Sequence, residues 1–466
     1  MRRHRIGAKL EWGKDGLARM KWGVTGLILL PSAGFACALP PSVILTLPTG
    51  HYIAAAAAVV AATALLGAAA HRMPELRSYE VARGVDRFPF AVTTYLAFVG
   101  FLGLVLVGVW GPTDPMHNLL TLIFWTGVWI ALPLASMVLG NLWAGISPWV
   151  APVRMVRVLL GRRGSVGLAR FGHWPAVAGL FGFSWFQMVG MVPDDPRVLA
   201  QAALIYWVVV FVAAVAEGED WLQQGEFLTV LFGMIARIAP LWRDRAGGVV
   251  RWQVGLPGAQ IVRMAALSAS EVAFVTLALA GLTFDGLSET FFWLALIGEN
   301  PLEFTGRSAV QGVNSVGLIG VWAVTVAAVL GALRLGRALG GGFAVGPVVL
   351  SFLAIAAGYH AAHYLVMLLT AGQFTLSALN DPLFRGDAWL GLPPFYVSFG
   401  FLSVGWVVTS VYAAQFVAIL GAHVLAVVLA LRLAGPSRAV AHLPLTALMV
   451  GYTVLGLWLL STARGI

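Results

Sequence analysis

Charge and cysteine are scarce in this chain of 466 residues. Acidic and basic side chains together make up 11% of it, against about 25% in an average soluble domain. Disordered, fibrous and nucleic-acid-binding classes are excluded on that ground, because each needs far more polar sequence or a basic, soluble face. The single cysteine, Cys37, allows no disulfide within the chain and no cysteine-built zinc site. The sequence also lacks a Walker motif, a dinucleotide fingerprint beside a strand and a convincing internal repeat. What it has is apolar: 59% hydrophobic residues, with 18 Trp and 26 Phe. That excess is too large for soluble cores, and it predicts an all-α, polytopic transmembrane helix bundle with the lipid bilayer as its first partner.

Seven basic residues, Arg2, Arg3, Arg5, Lys9, Lys14, Arg19 and Lys21, precede a short apolar run that ends in Ala36-Cys37-Ala38. A basic n-region, an apolar h-region and a small-residue site are the grammar of a secretory signal. Residues 1–39 are therefore expected to be a signal peptide, with an uncleaved signal anchor as the rival reading. Residues 40–466 then form one transmembrane domain that starts outside near Pro40. Ten apolar runs have spanning length, near 50–70, 90–110, 118–144, 173–193, 197–216, 263–284, 313–333, 343–371, 402–431 and 440–461. Residues 217–262 are expected to be a cytoplasmic segment whose short apolar middle is an interfacial or re-entrant helix. Residues 285–312 are expected on the outer surface.

Charge tests this count. The loops assigned inside hold Arg72, Arg77, Arg83 and Arg87; Arg154, Arg157, Arg162, Arg163 and Arg170; Arg237, Arg243, Arg245 and Arg251; Arg334 and Arg337; Arg432 and Arg438. Those assigned outside are acidic, with Asp114, Asp194, Asp195, Asp285, Glu289, Glu299, Glu303, Asp381 and Asp387. An error of one span would invert half of the loops and break the positive-inside pattern. The net charge of +9 thus reads as topology, not as a nucleic-acid footprint.

Ionisable groups inside apolar spans are costly, and their default reading is functional. His360 and His363 are three residues apart, so a helix puts both rings on one face. Two converging imidazoles make half of a metal or haem site; the plainer reading is two histidines hydrogen-bonded to neighbouring helices. Asp285 and Glu289 share a face at the outer end of the sixth span, where a solvated helix end is the plainer reading. Asp381, in Asn380-Asp381-Pro382, reads either as a ligand or as a loop turn. By rise per residue these groups lie in the outer half, so His360, His363, Asp285 and Asp381 could share one Zn²⁺, Mn²⁺ or Fe ion. Glu271 and His423 have similar inner depths, and a Glu271–His423 pair, structural or part of a proton path, is expected from that.

An ordered series of motifs carries a resemblance. It comprises Gly111-Pro112-Thr113-Asp114-Pro115-Met116-His117-Asn118-Leu119, Gly140-Asn141-Leu142-Trp143 with Ser147-Pro148-Trp149, and Trp174-Pro175-Ala176. Thr283-Phe284-Asp285-Gly286 with Glu289-Thr290, Tyr359 to Tyr364, Gly372-Gln373, Asp381-Pro382 and Gly421-Ala422-His423-Val424 continue it. Over roughly residues 110–425 the chain resembles the fenitrothion hydrolase-like family of bacterial polytopic membrane proteins. The resemblance implies hydrolysis of an organophosphorus triester, or another small apolar ester, in the bacterial inner (plasma) membrane. Where the family begins with an Ala-His-Gly-like stretch this chain has Ala38-Leu39-Pro40-Pro41, so no N-terminal histidine ligand is expected.

Three functions follow as expectations. In a metal-dependent hydrolase, the ion at His360, His363, Asp285 and Asp381 would activate water, with Glu289 as the catalytic base. In a transporter or channel, Glu271, His360, His363 and His423 would line an ion or proton path. A redox or assembly subunit would hold haem or quinone by its histidines.

Overall fold

The computed structural model describes residues 49–69, 75–85, 90–246, 248–303, 306–393, 397–435 and 437–462. The signal-like segment 1–39 with Cys37, and Arg72 and Arg87 of the first basic loop, lie outside the described residues. The helices in chain order are α1 (Thr49–Ala69), α2 (Phe90–Trp110), α3 (Leu119–Leu139), α4 (Val150–Leu159), α5 (Trp174–Val189) and α6 (Pro196–Glu217). There follow α7 (Phe227–Ile235), α8 (Ala269–Ser288), α9 (Arg307–Ala338), α10 (Phe352–Asn380), α11 (Gly405–Ala434) and α12 (Leu443–Ser461). Among the described residues, nine of these helices are long and apolar enough to cross a membrane, all except α4, α5 and α7. The chain is a multi-pass, all-α membrane protein.

The fourth expected span, 173–193, is the shorter helix α5. Its 16 residues rise ~24 Å, less than the ~30 Å hydrocarbon core. It nevertheless traverses the same layer as α8. At one end the His173 backbone N–H donates to Ser270 Oγ, beside the start of α8; towards the other, Gln187 Nε2 donates to the Tyr364 hydroxyl of α10.

The bundle has a protein-facing centre and a lipid-facing periphery. In their most apolar stretches α10 is 72% buried and α8 56%, whereas α1 and α2 are 17%. Polar side chains on α8 and α10 therefore meet protein, which decides where chemistry can be. Close approach of α10 to α11 depends on small residues. A Cβ on Gly358 would overlap the Ala422 methyl and press on the Ala418 carbonyl at 2.7 Å. Gln415 Nε2 of α11 donates across this seam to the Ala362 carbonyl at 2.8 Å.

Two features depart from a plain bundle. A three-stranded antiparallel sheet, in the order β1-β3-β2, forms from β1 (Ser78–Val85), β2 (Leu241–Ala246) and β3 (Val249–Gly255). It ties the basic loop after α1 to the basic segment after α7, so both lie on one face of the bundle. Arg243 lies over the Trp252 ring at 5.0 Å, a cation–π contact within the β2–β3 ladder. The apolar middle of 217–262 is α7, which is buried within the bundle: Phe227, Leu228, Val230, Phe232, Met234 and Ile235 are all core residues. The chain enters it past the Arg154–Glu219 ion pair, 2.8 Å, and leaves it into β2, so it enters and returns on the basic face.

A buried helix start needs its N–H groups satisfied. Glu226, fully buried, accepts from the backbone N–H groups of Leu228 and Thr229, from Thr229 Oγ1 and from the Tyr206 hydroxyl. Its carboxylate is thereby committed to capping α7.

Orientation is testable by single cysteines in a Cys37→Ala background. Arg163→Cys, on the basic face, is expected to stay unlabelled by an impermeant thiol reagent in intact cells. Asp387→Cys, beyond the far end of α10, is expected to label. The reverse pattern would invert the assigned topology.

Candidate functional site

The site is built on α8 and α10. Ser268 starts α8 with a capping box: its hydroxyl accepts from the Glu271 backbone N–H, and the Glu271 carboxylate accepts from the Ser268 backbone N–H. The helix then carries Asp285 into its last turn. His363 lies near the middle of α10, and the two side chains meet. His363 Nε2 is 3.0 Å from Asp285 Oδ2, and the Tyr364 hydroxyl donates to the same oxygen at 2.6 Å. Gln187 of α5 donates to that hydroxyl at 3.0 Å, so three helices close one network. Side-chain exposure is 7% for His363 and 16% for Asp285, which places the pair within the bundle and below the outer surface expected for Asp285.

The hydrogen bonds fix the tautomer. A carboxylate accepts only, so neutral His363 carries its proton on Nε2 and presents a bare lone pair at Nδ1. Nδ1 is buried without a hydrogen-bond partner among the described residues. The Tyr359 ring stacks on the His363 imidazole, with centroids 5.5 Å apart and planes at 17°.

His360 does not join this pair. Its Nε2 donates to the Trp129 carbonyl of α3 at 3.0 Å, and the local sequence of α3 explains why. In a regular α-helix the Trp129 carbonyl would receive the N–H of residue 133, but that residue is Pro133, which has none. The stretch Ile123–Ala131 widens into a π-helix just before this proline, as happens where the i→i−4 ladder is interrupted. His360 adds a side-chain donor to the Trp129 carbonyl where this stretch departs from a regular α-helix. His360→Phe is expected to cost about 1–3 kcal/mol by leaving that carbonyl unsatisfied. The penalty should shrink in a Pro133→Ala background, where residue 133 regains an N–H. Detergent-based denaturation of the four proteins of this cycle measures the coupling; equal penalties in both backgrounds would remove this role for His360.

The other expected residues are placed elsewhere. Asp381 ends α10 in a turn, its two carboxylate oxygens accepting from the backbone N–H groups of Arg385 and Gly386 at 2.9 and 2.7 Å. It is 18 residues beyond His363, or ~27 Å of helix, so it cannot share an ion with the pair. Glu289 is exposed at the C-terminal end of α8, one turn past Asp285. Glu271, in the first turn of α8, is 3.8 Å from His173 Nε2 and forms no pair with His423. His423 Nδ1 donates instead to the Ile419 carbonyl of its own helix at 2.9 Å. Among the described residues no group of three or more His, Cys, Asp or Glu side chains converges as a metal site. The four-ligand set is not assembled: His360 is turned to a carbonyl and Asp381 to a loop.

A cavity of about 40 Å³ adjoins Asp285, lined also by Tyr364, His360, Gln187, Ser184 and Trp129 together with apolar neighbours. It has room for roughly two or three waters and enough polar partners to hold them. At the outer end Arg307 Nη1 donates to the Gln187 and Gly190 carbonyls at 2.9 and 3.1 Å, a cation capping the end of α5. Nearby, burial pushes the Asp194 carboxyl above the usual range, and Arg307 offsets part of that shift.

Comparison with family models, with curated proteins and with solved structures finds no match to the chain. Sequence reasoning did not single out Tyr364 and Gln187 as members. Gln187 had a visible signal, as a carboxamide inside an apolar span; Tyr364 had only its place beside His363.

Proposed function

We propose that this chain conducts protons within the membrane, as a transporter or channel in which Asp285 and His363 bind and release one proton. The observation that carries the reading is the Asp285–His363–Tyr364 network, enclosed by three helices of the bundle. An isolated charge at this depth would be costly, whereas a carboxylate that holds an imidazole makes a protonated histidine affordable in the bundle interior. The proton enters at His363 Nδ1, the bare nitrogen, and produces an imidazolium held by the Asp285 carboxylate. Tyr364, itself held by Gln187, fixes the carboxylate from its other side, and the cavity beside Asp285 has space for waters.

A second reading, hydrolysis, has one observation in its favour. A histidine fixed at Nε2 by a carboxylate, with Nδ1 bare, has the arrangement of a general base. The resemblance to the fenitrothion hydrolase-like family adds the substrate class, an apolar phosphotriester, and the bacterial inner membrane as location. The cavity weighs against it: about 40 Å³ is small beside the ~300–1,000 Å³ of small-molecule sites. The donor set does not fit a metal ion, so no metal-dependent step is derived.

Reconstitution in vesicles with a trapped pH dye separates the readings. Under an imposed membrane potential the transporter reading expects proton flux above that of protein-free vesicles. Nitrophenol release from a phosphotriester without such flux would favour hydrolysis.

A further inference from the structure

His423 is a buried titratable side chain that the Asp285–His363 pair does not use. It is 1% exposed. Because a carbonyl only accepts, its bond to Ile419 puts the proton on Nδ1 and leaves Nε2 as a bare base. Nε2 is buried without a hydrogen-bond partner among the described residues. Buried polar atoms are nearly always partnered, so such an atom points to a ligand.

The surroundings supply the place for one. His423 lines a cavity of about 20 Å³ together with Thr283, Tyr359 and Tyr452. That volume holds about one water. Around it α8 contributes Thr283, α10 Tyr359, α11 His423 and α12 Tyr452, whose hydroxyl also meets Thr325 Oγ1 of α9 at 3.2 Å. Tyr359 belongs to both places: one of its contacts is this cavity, the other is the stack on His363. On α8, Thr283 precedes Asp285 by two residues, so the cavity lies on the basic-face side of the pair.

We propose that this cavity is a water-binding proton station, with His423 as the inner partner of His363. The inference rests on the proton-handling reading and adds a direction to it, from the Asp285–His363 pair towards the basic face. His423 Nε2 accepts a hydrogen bond from the cavity water and orients it. A proton arriving on that water is passed on by the water while the imidazole stays neutral, and no other reactant is needed. A mere packing role would have been met by an apolar side chain of similar size, without a basic nitrogen facing a water-sized space.

The test uses the full chain in vesicles with a trapped pH dye, comparing wild type, Asp285→Asn, His423→Phe and Gly456→Ala. Gly456 lines the same cavity, and a Cβ there meets Tyr359 at an ordinary 3.4 Å. Its methyl therefore narrows the space while His423 stays intact. Flux is expected to fall at least tenfold in His423→Phe and severalfold in Gly456→Ala, with thermal midpoints close to wild type. Should His423→Phe fail to fold, Gly456→Ala carries the test alone. Wild-type flux in both cavity variants, in a preparation where Asp285→Asn abolishes it, overturns the station and leaves the outer site standing. Undiminished flux in Asp285→Asn overturns the proton-handling reading itself.

Discussion

Asp285→Asn is expected to abolish proton flux while leaving the bundle folded. The carboxamide keeps the size of the side chain and can still accept from the Tyr364 hydroxyl. It loses the negative charge that makes an imidazolium at His363 tolerable. Removing one partner of a buried charge pair costs roughly 3–5 kcal/mol, which at about 1.4 kcal/mol per decade is roughly two to three and a half orders of magnitude in rate. His363→Gln should be equally inactive, because it removes the proton-accepting nitrogen. Tyr364→Phe should be milder, about tenfold, since it deletes one hydrogen bond to the carboxylate and no charge. Flux is read from the dye, and folding from the thermal midpoint in detergent. A ranking in which Tyr364→Phe is worse than Asp285→Asn would show that the hydroxyl, not the carboxylate, is central.

Gly358→Val should be strongly damaging to the bundle. Its first added carbon overlaps the Ala422 methyl, and α10 cannot recede from α11 without losing the Gln415–Ala362 hydrogen bond. Overpacking costs about 1–3 kcal/mol in well-packed cores, and the upper end applies where the obstacle is backbone. Gly358→Ala should lose about half as much. Gly421→Ala, at a position with open space around its Cβ, is the matched control and should be near neutral. Denaturation in mixed detergent micelles gives the order directly. A Gly358→Val protein as stable as the control would mean that the α10–α11 seam is looser than described.

The bundle was legible because membrane physics leaves few choices. Each span must be about 20 residues of apolar sequence, and the arginines sort the loops between the two faces. The ends of α2, α6 and α11 lie within a few residues of the runs read from sequence. The sheet was not legible, because its strands sit in loops recognised only by their arginines. The burial of α7 was not fixed either: an apolar run of its length fits an interfacial helix as well as a re-entrant one.

Within the site, Asp285 and His363 were visible as charges in apolar sequence, but their direct contact is a tertiary fact. His360 shows the limit most clearly. Its spacing from His363 made them a pair, yet its ring meets the Trp129 carbonyl of α3, more than two hundred residues earlier. No local pattern around His360 carries that information. Asp381 had its answer in the sequence, since Asn-Asp-Pro is a turn signal, and the carboxylate is used in that turn. Glu271 likewise follows Ser268 at capping-box spacing, which accounts for it without His423.

Infrared difference spectroscopy of the reconstituted protein, stepped between acidic and neutral buffer, tests the central claim most directly. If Asp285 and His363 bind one proton together, the step yields paired carboxylate and imidazole bands. Isolated by subtraction from the wild-type spectrum, both site contributions should vanish in Asp285→Asn and both in His363→Gln. Bands that persist unchanged in either variant, or no carboxylate band in the wild type, would contradict a shared proton site at this pair.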